Sequence, residues 1–311
     1  MNLRRLPFGW RLVPPPKRLF ALAIATVPLG LLSGCAGGVL QPRGPIGSAN
    51  SIILLDAVGI MAAIVVPTLI AVLIFAWWFR ASNTRAQYRP DFVYSGRVEI
   101  IVWSIPILVI LFLSGVIWIG AHELDPFVPI DAETKPTEVD VVSLDWKWLF
   151  IYPQQGIATV NELTVPAGVP VHFRLTSATV MNAFFVPQLG SMIATMDGMV
   201  TQLYLKADRP GDFYGESAQY SGDGFSDMHF VLHAVPADAF AQWVAGARAS
   251  GPVLDRAGYL ALLQESQNNK PQSYRSVEPN LFDAIVRQQL PQGPGPQKGS
   301  GGPQVRPIGD R

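Results

Sequence analysis

The sequence predicts a hairpin of two transmembrane α-helices, then an all-β Greek-key sandwich, then a short α-helical C-terminal extension. Three observations predict it. Two apolar runs, 52–79 and 100–120, each exceed the roughly 20 helical residues that cross a hydrocarbon core. From 137 to 235 the pattern changes to short alternating runs such as TEVDVVSLDW, VHFRLTSA, TQLYLKA and MHFVLHAV, parted by Pro, Gly, Asn and Asp. Alternation of that kind over about a hundred residues is the signature of a sandwich. After Pro236 the period lengthens: Phe240, Trp243, Val244 and Ala247 recur at helical spacing.

The N-terminal segment 1–34 reads as a lipoprotein signal peptide. Arg4, Arg5, Arg11, Lys17 and Arg18 precede an apolar stretch, 19–32, that is short for a membrane span and ends at Leu32-Ser33-Gly34-Cys35. That ending fits a bacterial lipidation box, which makes Cys35 the expected acylated N-terminus of the mature chain. Cys35 is also the single cysteine, so no disulfide can form within the chain. Residues 35–51, rich in Gly and Pro, read as a linker, and 52–120 as the helical hairpin. Pro67 and Pro106 lie within the spans, and Trp77, Trp78, Trp103 and Trp118 stand near interfacial depth.

Loop charges orient the hairpin. The connector 80–98 holds Arg80, Arg85, Arg89 and Arg97 against Asp91 alone, and 123–140 holds six acids against Lys135. The positive-inside rule puts the connector in the cytoplasm and the domain 121–236 on the periplasmic side of a bacterial inner membrane. The region 237–290 reads as an aromatic-rich helical extension, with further helices at 255–264 and 278–290, and 291–311 as a disordered Pro/Gly/Gln-rich tail. Lys plus Arg equal Asp plus Glu, so no excess of charge marks a nucleic-acid partner.

Long segments carry a family resemblance. VVSLDWKWLFIYPQQGIATVNEL (141–163), VMNAFFVPQLGS (180–191) and YSGDGFSDM (220–228) resemble subunit II of cytochrome bo-type ubiquinol oxidases, within the haem-copper terminal oxidases. The likeness runs from about 56 to about 290. It implies a cupredoxin topology for the sandwich, which alternation alone does not specify. Copper-bearing relatives have the frame Y-G-x-C-x-E-x-C-G-x-x-H-x-x-M, and this chain reads YGESAQYSGDGFSDM over 214–228. Ser217 and Ser221 stand at the thiolate positions, Gln219 at the carboxylate and Phe225 at the imidazole. Upstream, Asn182 takes the place of the other imidazole, and only Met228 persists. A purple dinuclear copper site needs two thiolates, imidazole and thioether, so these are lost ligand positions and no metal is expected.

The resemblance further implies that this chain has no catalytic residue and no cofactor of its own. Partner subunit I would carry haem b, a high-spin haem of o type and copper, would bind ubiquinol, and would couple its oxidation and oxygen reduction to proton pumping. Subunits III and IV and membrane lipid are the other expected partners. Glu99, opening the second span after the arginine-rich loop, stands where the family has a glutamate beside a proton-uptake path; a solvated helix-start acid is the alternative. Trp146 and Trp148 match an aromatic segment that passes electrons to copper in cytochrome c oxidases. Without copper they are expected to share one strand face as core and interface.

Other candidates read as structural. His229 and His233 lie on one predicted strand, about 13 Å apart at a rise of about 3.3 Å per residue, too far to share a metal. His122 reads as interfacial, His172 as a solvent-facing strand residue and Asp56 as a headgroup-level acid. Met181, Met192, Met196 and Met199 read as packing, in a core or an interface, rather than a thioether copper site. Two other functions fit less of the sequence. A free-standing periplasmic lipoprotein for binding or copper delivery would not need two spans, and a copper-bearing cytochrome c oxidase subunit would need the missing ligands.

Overall fold

The computed structural model describes residues 38–87 and 89–293. The expected signal peptide, Cys35 and the tail from 294 lie outside the described residues. Two long helices come first, α1 (Pro45–Trp78) and α2 (Gly96–Glu123), both long and apolar enough to cross a membrane. They pack closely near their outer ends, where a Cβ on Gly120 would meet Ile53 Cδ1 at 2.8 Å.

Helix α1 begins at Pro45, seven residues before the expected start at 52. The Gly/Pro-rich stretch is therefore not simply a linker. Proline suits the first turn, where its missing N–H has no helical partner. At about 1.5 Å per residue α1 is about 51 Å long, more than the roughly 30 Å of hydrocarbon it has to cross. The surplus turn docks on the sandwich. Arg43 N donates to Gln188 O at 2.8 Å, Gly47 N to Leu189 O at 3.0 Å and Asp208 N to Arg43 O at 2.9 Å. Asn50 Nδ2 donates to Ser191 Oγ at 3.0 Å. A Cβ on Gly47 would stand 2.6 Å from the Gln188 carbonyl, so the contact needs glycine.

The sandwich has two sheets. One has the strand order β12-β3-β2-β1-β5-β8 and the other β4-β10-β9-β6-β7. The first comprises β1 (Thr137–Leu144), β2 (Lys147–Tyr152), β3 (Ile157–Val160), β5 (Val171–Ser177), β8 (Thr201–Leu205) and β12 (Gln272–Tyr274). The second comprises β4 (Glu162–Pro166), β6 (Asn182–Phe185), β7 (Ile193–Thr195), β9 (Gly211–Ser217) and β10 (His229–Val235). The pairs β1/β5 and β4/β10 are parallel, which requires the chain to cross between sheets as in a Greek key. Trp148, Phe150, Phe173, Phe184 and Phe230 fill the space between the sheets with tilted, edge-on and stacked rings.

The extension is a third layer rather than a helical appendage. Helix α3 (Ala237–Ala249) follows the predicted spacing and sets Trp243 edge-on to Tyr152 at 5.3 Å. Strand β12 then joins the sheet edge beside β3, and β11 (Val253–Leu254) pairs with β13 (Ser276–Val277). Helices α4 (Arg256–Leu262) and α5 (Leu281–Val286) carry Tyr259, Leu281, Phe282 and Ile285 onto Val142, Leu144, Leu149 and Ile151. Strand β2 is thus buried along its whole length, on both faces. Helix α5 is shorter than the expected 278–290 because Asn280 (φ 60°) and Gln288 (φ 54°) take left-handed conformations at its two ends.

Polar latches hold this layer down. Arg174 donates from Nε and Nη2 to the two Asp140 oxygens at 2.7 and 2.8 Å, while its guanidinium lies 4.8 Å from the Phe282 ring centre. Burial pushes the Asp140 carboxyl up despite that partner. Lys147, buried between the two tryptophans, donates to Gln264 O at 2.7 Å and to Ser266 Oγ. Burial lowers its ammonium to about 8, against the opposing pull of Asp145 and Glu265.

Candidate functional site

Strands β6 and β9 bring the lost ligand positions together. They pair antiparallel with Phe184 opposite Ser217, and Ala218 N donates to Ala183 O at 2.9 Å. Asn182, opening β6, and Ser217, closing β9, are both buried. The Ser217 hydroxyl lies 3.0 Å from Asn182 Oδ1 and 3.2 Å from the Gln219 carbonyl oxygen, and its one proton serves one of them at a time. Asn182 Nδ2 donates to Val180 O at 3.2 Å, and its carbonyl accepts from Thr195 Oγ1 at 3.3 Å. Thr195 Oγ1 in turn lies 2.7 Å from Ser143 Oγ. A buried hydrogen-bonded chain, Ser143–Thr195–Asn182–Ser217, occupies the positions where the copper frame has an imidazole and a thiolate.

The loop after β9 folds back through a 3-10 turn, Phe225–Asp227, to bury Met228, whose carbonyl accepts from Ser217 N at 3.1 Å. Ser221 is buried beside it. Phe225 is half-buried and edge-on to Tyr220 at 5.6 Å, while Gln219 stands at the surface. Sheet pairing sets Asn182 against Ser217, and the returning loop brings Met228 to Ser217 and Ser221 to Trp146, while Phe225 packs on Tyr220 and the Gln219 side chain stands at the surface. At the frame positions that are buried or half-buried the donors are an amide, two hydroxyls and one thioether, and Phe225 offers none. That set does not fit copper, which is held by thiolate and imidazole. Among the described residues no group of three or more His, Cys, Asp or Glu could hold a metal ion.

The two tryptophans part company. Trp148 lies in β2, fully buried, edge-on to Phe184 at 5.5 Å and Phe230 at 5.9 Å. Trp146 is not on that strand and does not share its face. It sits in the β1–β2 turn with φ 58°, its Nε1 donating to Ser221 O at 3.1 Å. Its ring lies over Gly224, where a Cβ would stand 2.3 Å from Trp146 Cδ2. Trp146 thus forms one wall of the loop that carries the lost ligands. Its turn follows from Leu144↔Lys147 pairing, which leaves two residues to reverse the chain.

Glu99 is remote from this cluster. It stands exposed in the first turn of α2, and its Oε2 accepts from Trp103 Nε1 at 3.0 Å. His229 and His233 lie on β10; His233 Nδ1 is 2.6 Å from Asp212, and His229 stacks on Tyr214 at 5.8 Å. His172 is not solvent-facing. Its side chain is 13% exposed, 2.7 Å from Glu138 and stacked on Tyr204 at 4.4 Å, because β8 closes over that edge. His122 lies against Trp118, one helical turn back. Three of the four clustered methionines are exposed rather than packed within the chain: Met181, Met192 and Met199. Thr195 and Ser143 were not among the sequence candidates; a short polar residue in an alternating strand gives no sign of a partner 52 positions away.

The fold and these positions define a class of protein, the second subunit of respiratory oxidases. The family model "Cytochrome C oxidase subunit II, periplasmic domain" matches residues 138–235, and "COX Aromatic Rich Motif" matches 248–293. The periplasmic domain of subunit II of cytochrome oxidase of Bradyrhizobium japonicum is a similar solved structure, 24% identical with a TM-score of 0.36 over 38% of this chain and 98% of that one. The ubiquinol oxidase subunit 2 of Acetobacter aceti is 48% identical over 82% of this chain and 84% of its own length. The cytochrome bo(3) ubiquinol oxidase subunit 2 of Pseudomonas putida is 47% identical over 82% of each. The chain belongs to the ubiquinol oxidase subunit 2 family, whose members are subunits of an oxidoreductase complex.

Proposed function

We propose that this chain is a copper-free second subunit of a proton-pumping ubiquinol oxidase, and that it braces subunit I without carrying electrons. The observation that carries the reading is the hydrogen bond between Ser217 and Asn182. Two groups at former ligand positions satisfy each other instead of facing a metal. Electrons then have no centre to enter here. Quinol is oxidised in subunit I, which holds haem b, the high-spin haem and copper. Subunits III and IV complete the assembly. The chain sits in the bacterial inner membrane with the connector 80–98 in the cytoplasm and the sandwich in the periplasm. Acylation of Cys35 adds a lipid anchor at the outer leaflet, supported by the residues before it and by the loop charges, which independently give the same topology. Glu99 stands at the cytoplasmic entrance of the proton path.

Purification of the tagged chain from its native membrane tests this. The expected preparation contains haem-bearing partner polypeptides, consumes oxygen with ubiquinol, and lacks the visible and EPR signals of mixed-valence dinuclear copper. Those signals would overturn the copper-free reading. A chain recovered alone, without haem, would favour the free-standing lipoprotein.

A further inference from the structure

Helices α1 and α2 contain Trp77, Trp78, Trp103 and Trp118, and among the described residues Trp103 alone of these gives its indole N–H to another side chain. Trp77 carries the Arg80 guanidinium 5.0 Å from its ring centre, and Trp118 lies on His122 at 4.4 Å. Such residues suit an interfacial belt, where the N–H faces headgroups and water. Trp103 instead donates from Nε1 to Glu99 Oε2 at 3.0 Å. Helix geometry makes this pair. Residues four apart share a face. A long side chain leans toward the helix N-terminus, so Trp103 hangs back over the turn that carries Glu99. At about 1.5 Å per residue, its Cα stands about 6 Å further along α2 than that of Glu99.

The bond sets where the carboxylate points. An acid at a helix start ordinarily turns back to the free N–H groups there. Glu99 also has Arg97 two residues before it and the arginine-rich connector beyond. Its carboxylate takes neither partner: among the described residues it forms no ion pair, and Trp103 is its one hydrogen-bond donor. We propose that Trp103 is a positioning residue for Glu99, holding the carboxylate against α2 in the orientation from which protons pass on to subunit I, and away from the arginines of the connector. This rests on the reading of Glu99 as the entrance of a proton path. An indole supplies one hydrogen bond and no charge, so it orients the carboxylate without neutralising it. With Oε2 bonded, Oε1 is the oxygen left to take a proton from cytoplasmic water and give it up again. Without the donor, the free side-chain torsions of Glu99 let the carboxylate spend part of its time turned back to the connector.

The test is oxygen uptake with ubiquinol by the full complex in native membranes, expressed per haem, for Trp103→Phe, Glu99→Ala and the double variant. Phenylalanine keeps an aromatic ring at that depth and removes the donor. Trp103→Phe is expected to lower kcat by about threefold to tenfold, the scale of one hydrogen bond, and to leave KM for ubiquinol unchanged. It should be silent once Glu99 is alanine, so that the double variant turns over at the rate of Glu99→Ala alone. Trp118→Phe, the belt control, should keep the parental rate. Parental turnover in Trp103→Phe, or an equal loss in Trp118→Phe, would overturn the proposal. A double variant slower than Glu99→Ala would also overturn it, because Trp103 would then act other than through the carboxylate. So would a fall in haem content with unchanged turnover per haem, which marks a structural residue. If Glu99→Ala itself turns over at the parental rate, the reading of Glu99 as a proton entrance fails first and this inference falls with it. That outcome is read on the single Glu99 variant, so the two failures are distinguishable.

Discussion

Lys147 is an ammonium held where water does not reach, and its titration gives a signed prediction. Burial lowers it to about 8 in the folded chain, against about 10.5 when unfolded. Below about pH 8 both states are protonated, and the folded one bears the full cost of the buried charge. Between about 8 and 10.5 only the unfolded state still binds the proton, so stability rises with pH in that window. Burial pushes Tyr152 and Tyr259 the other way, up, so the unfolded state loses their protons first and stability falls above the ordinary tyrosine range. Denaturant unfolding of the full chain in detergent should show a rise from about pH 8 to about pH 10, then a fall. Lys147→Met should flatten the rise and keep the fall. A second residue, Glu99, is proposed to act on turnover rather than stability. Glu99→Ala is expected to slow quinol oxidase turnover by less than about 10²-fold, since an entrance group has water beside it, and Glu99→Asp to retain part of the rate. Haem content measured alongside excludes an assembly defect. Unchanged turnover would leave Glu99 as a helix-start acid bonded to Trp103.

The extension is fastened by the pairing of β12 with β3, by the apolar layer of Tyr259, Phe282 and Ile285, and by a polar latch, Arg174. Arg174 satisfies the Asp140 carboxylate with both arms of its fork and carries Phe282 on its flat face. Arg174→Ala would leave Asp140, whose side chain is 4% exposed, without its guanidinium. The expected cost is about 3 kcal/mol, the lower end for a broken buried pair, because Arg174 itself is partly solvated. Arg174→Lys keeps the charge but neither the fork nor the plane, and should recover a minor share. Limited proteolysis reads the element directly: cleavage between 250 and 293 should accelerate in Arg174→Ala before the sandwich is cut. Equal rates in mutant and parent would show that the apolar layer of Tyr259, Phe282 and Ile285 holds the extension without the latch.

At the scale of the molecule, the structure couples the helical hairpin to the sandwich through one small-residue contact. Gly44 and Gly47 let α1 touch the main chain at Lys206 and Gln188, and four hydrogen bonds from Arg43, Gly47, Asn50 and Asp208 complete the joint. Gly47→Val would drive a side chain into the Gln188 carbonyl, an overpacking worth about 1–3 kcal/mol. The expected result is faster hydrogen exchange at 43–50 and 188–191 and less haem-bearing partner recovered with the chain. Gly59→Val is the control, since a Cβ at Gly59 meets nothing within 4 Å. A silent Gly47→Val would mean that the sandwich does not rely on this joint for its position.

The sequence by itself determined the two long apolar helices, the β-sandwich and the membership of the oxidase subunit family. Each is a local property: apolar run length, alternation, or residue identity within a short frame. Only the tertiary structure decided how these pieces meet. Residues 43–51 have linker composition, yet glycine reads the same whether it permits flexibility or close approach. The apolar run in β2 could not reveal its second covering layer, because Tyr259, Phe282 and Ile285, which form it, come from more than a hundred residues downstream. Trp146 and Trp148 stand two apart and suggest one strand face, but the turn falls on Trp146 because β1 pairs back at Lys147. The hydrogen bond that supports the proposed copper-free reading joins Asn182 to Ser217, 35 positions apart, and exists because β6 lies beside β9. Contacts between distant segments depend on strand register and shape, and neither is encoded in a short window of sequence.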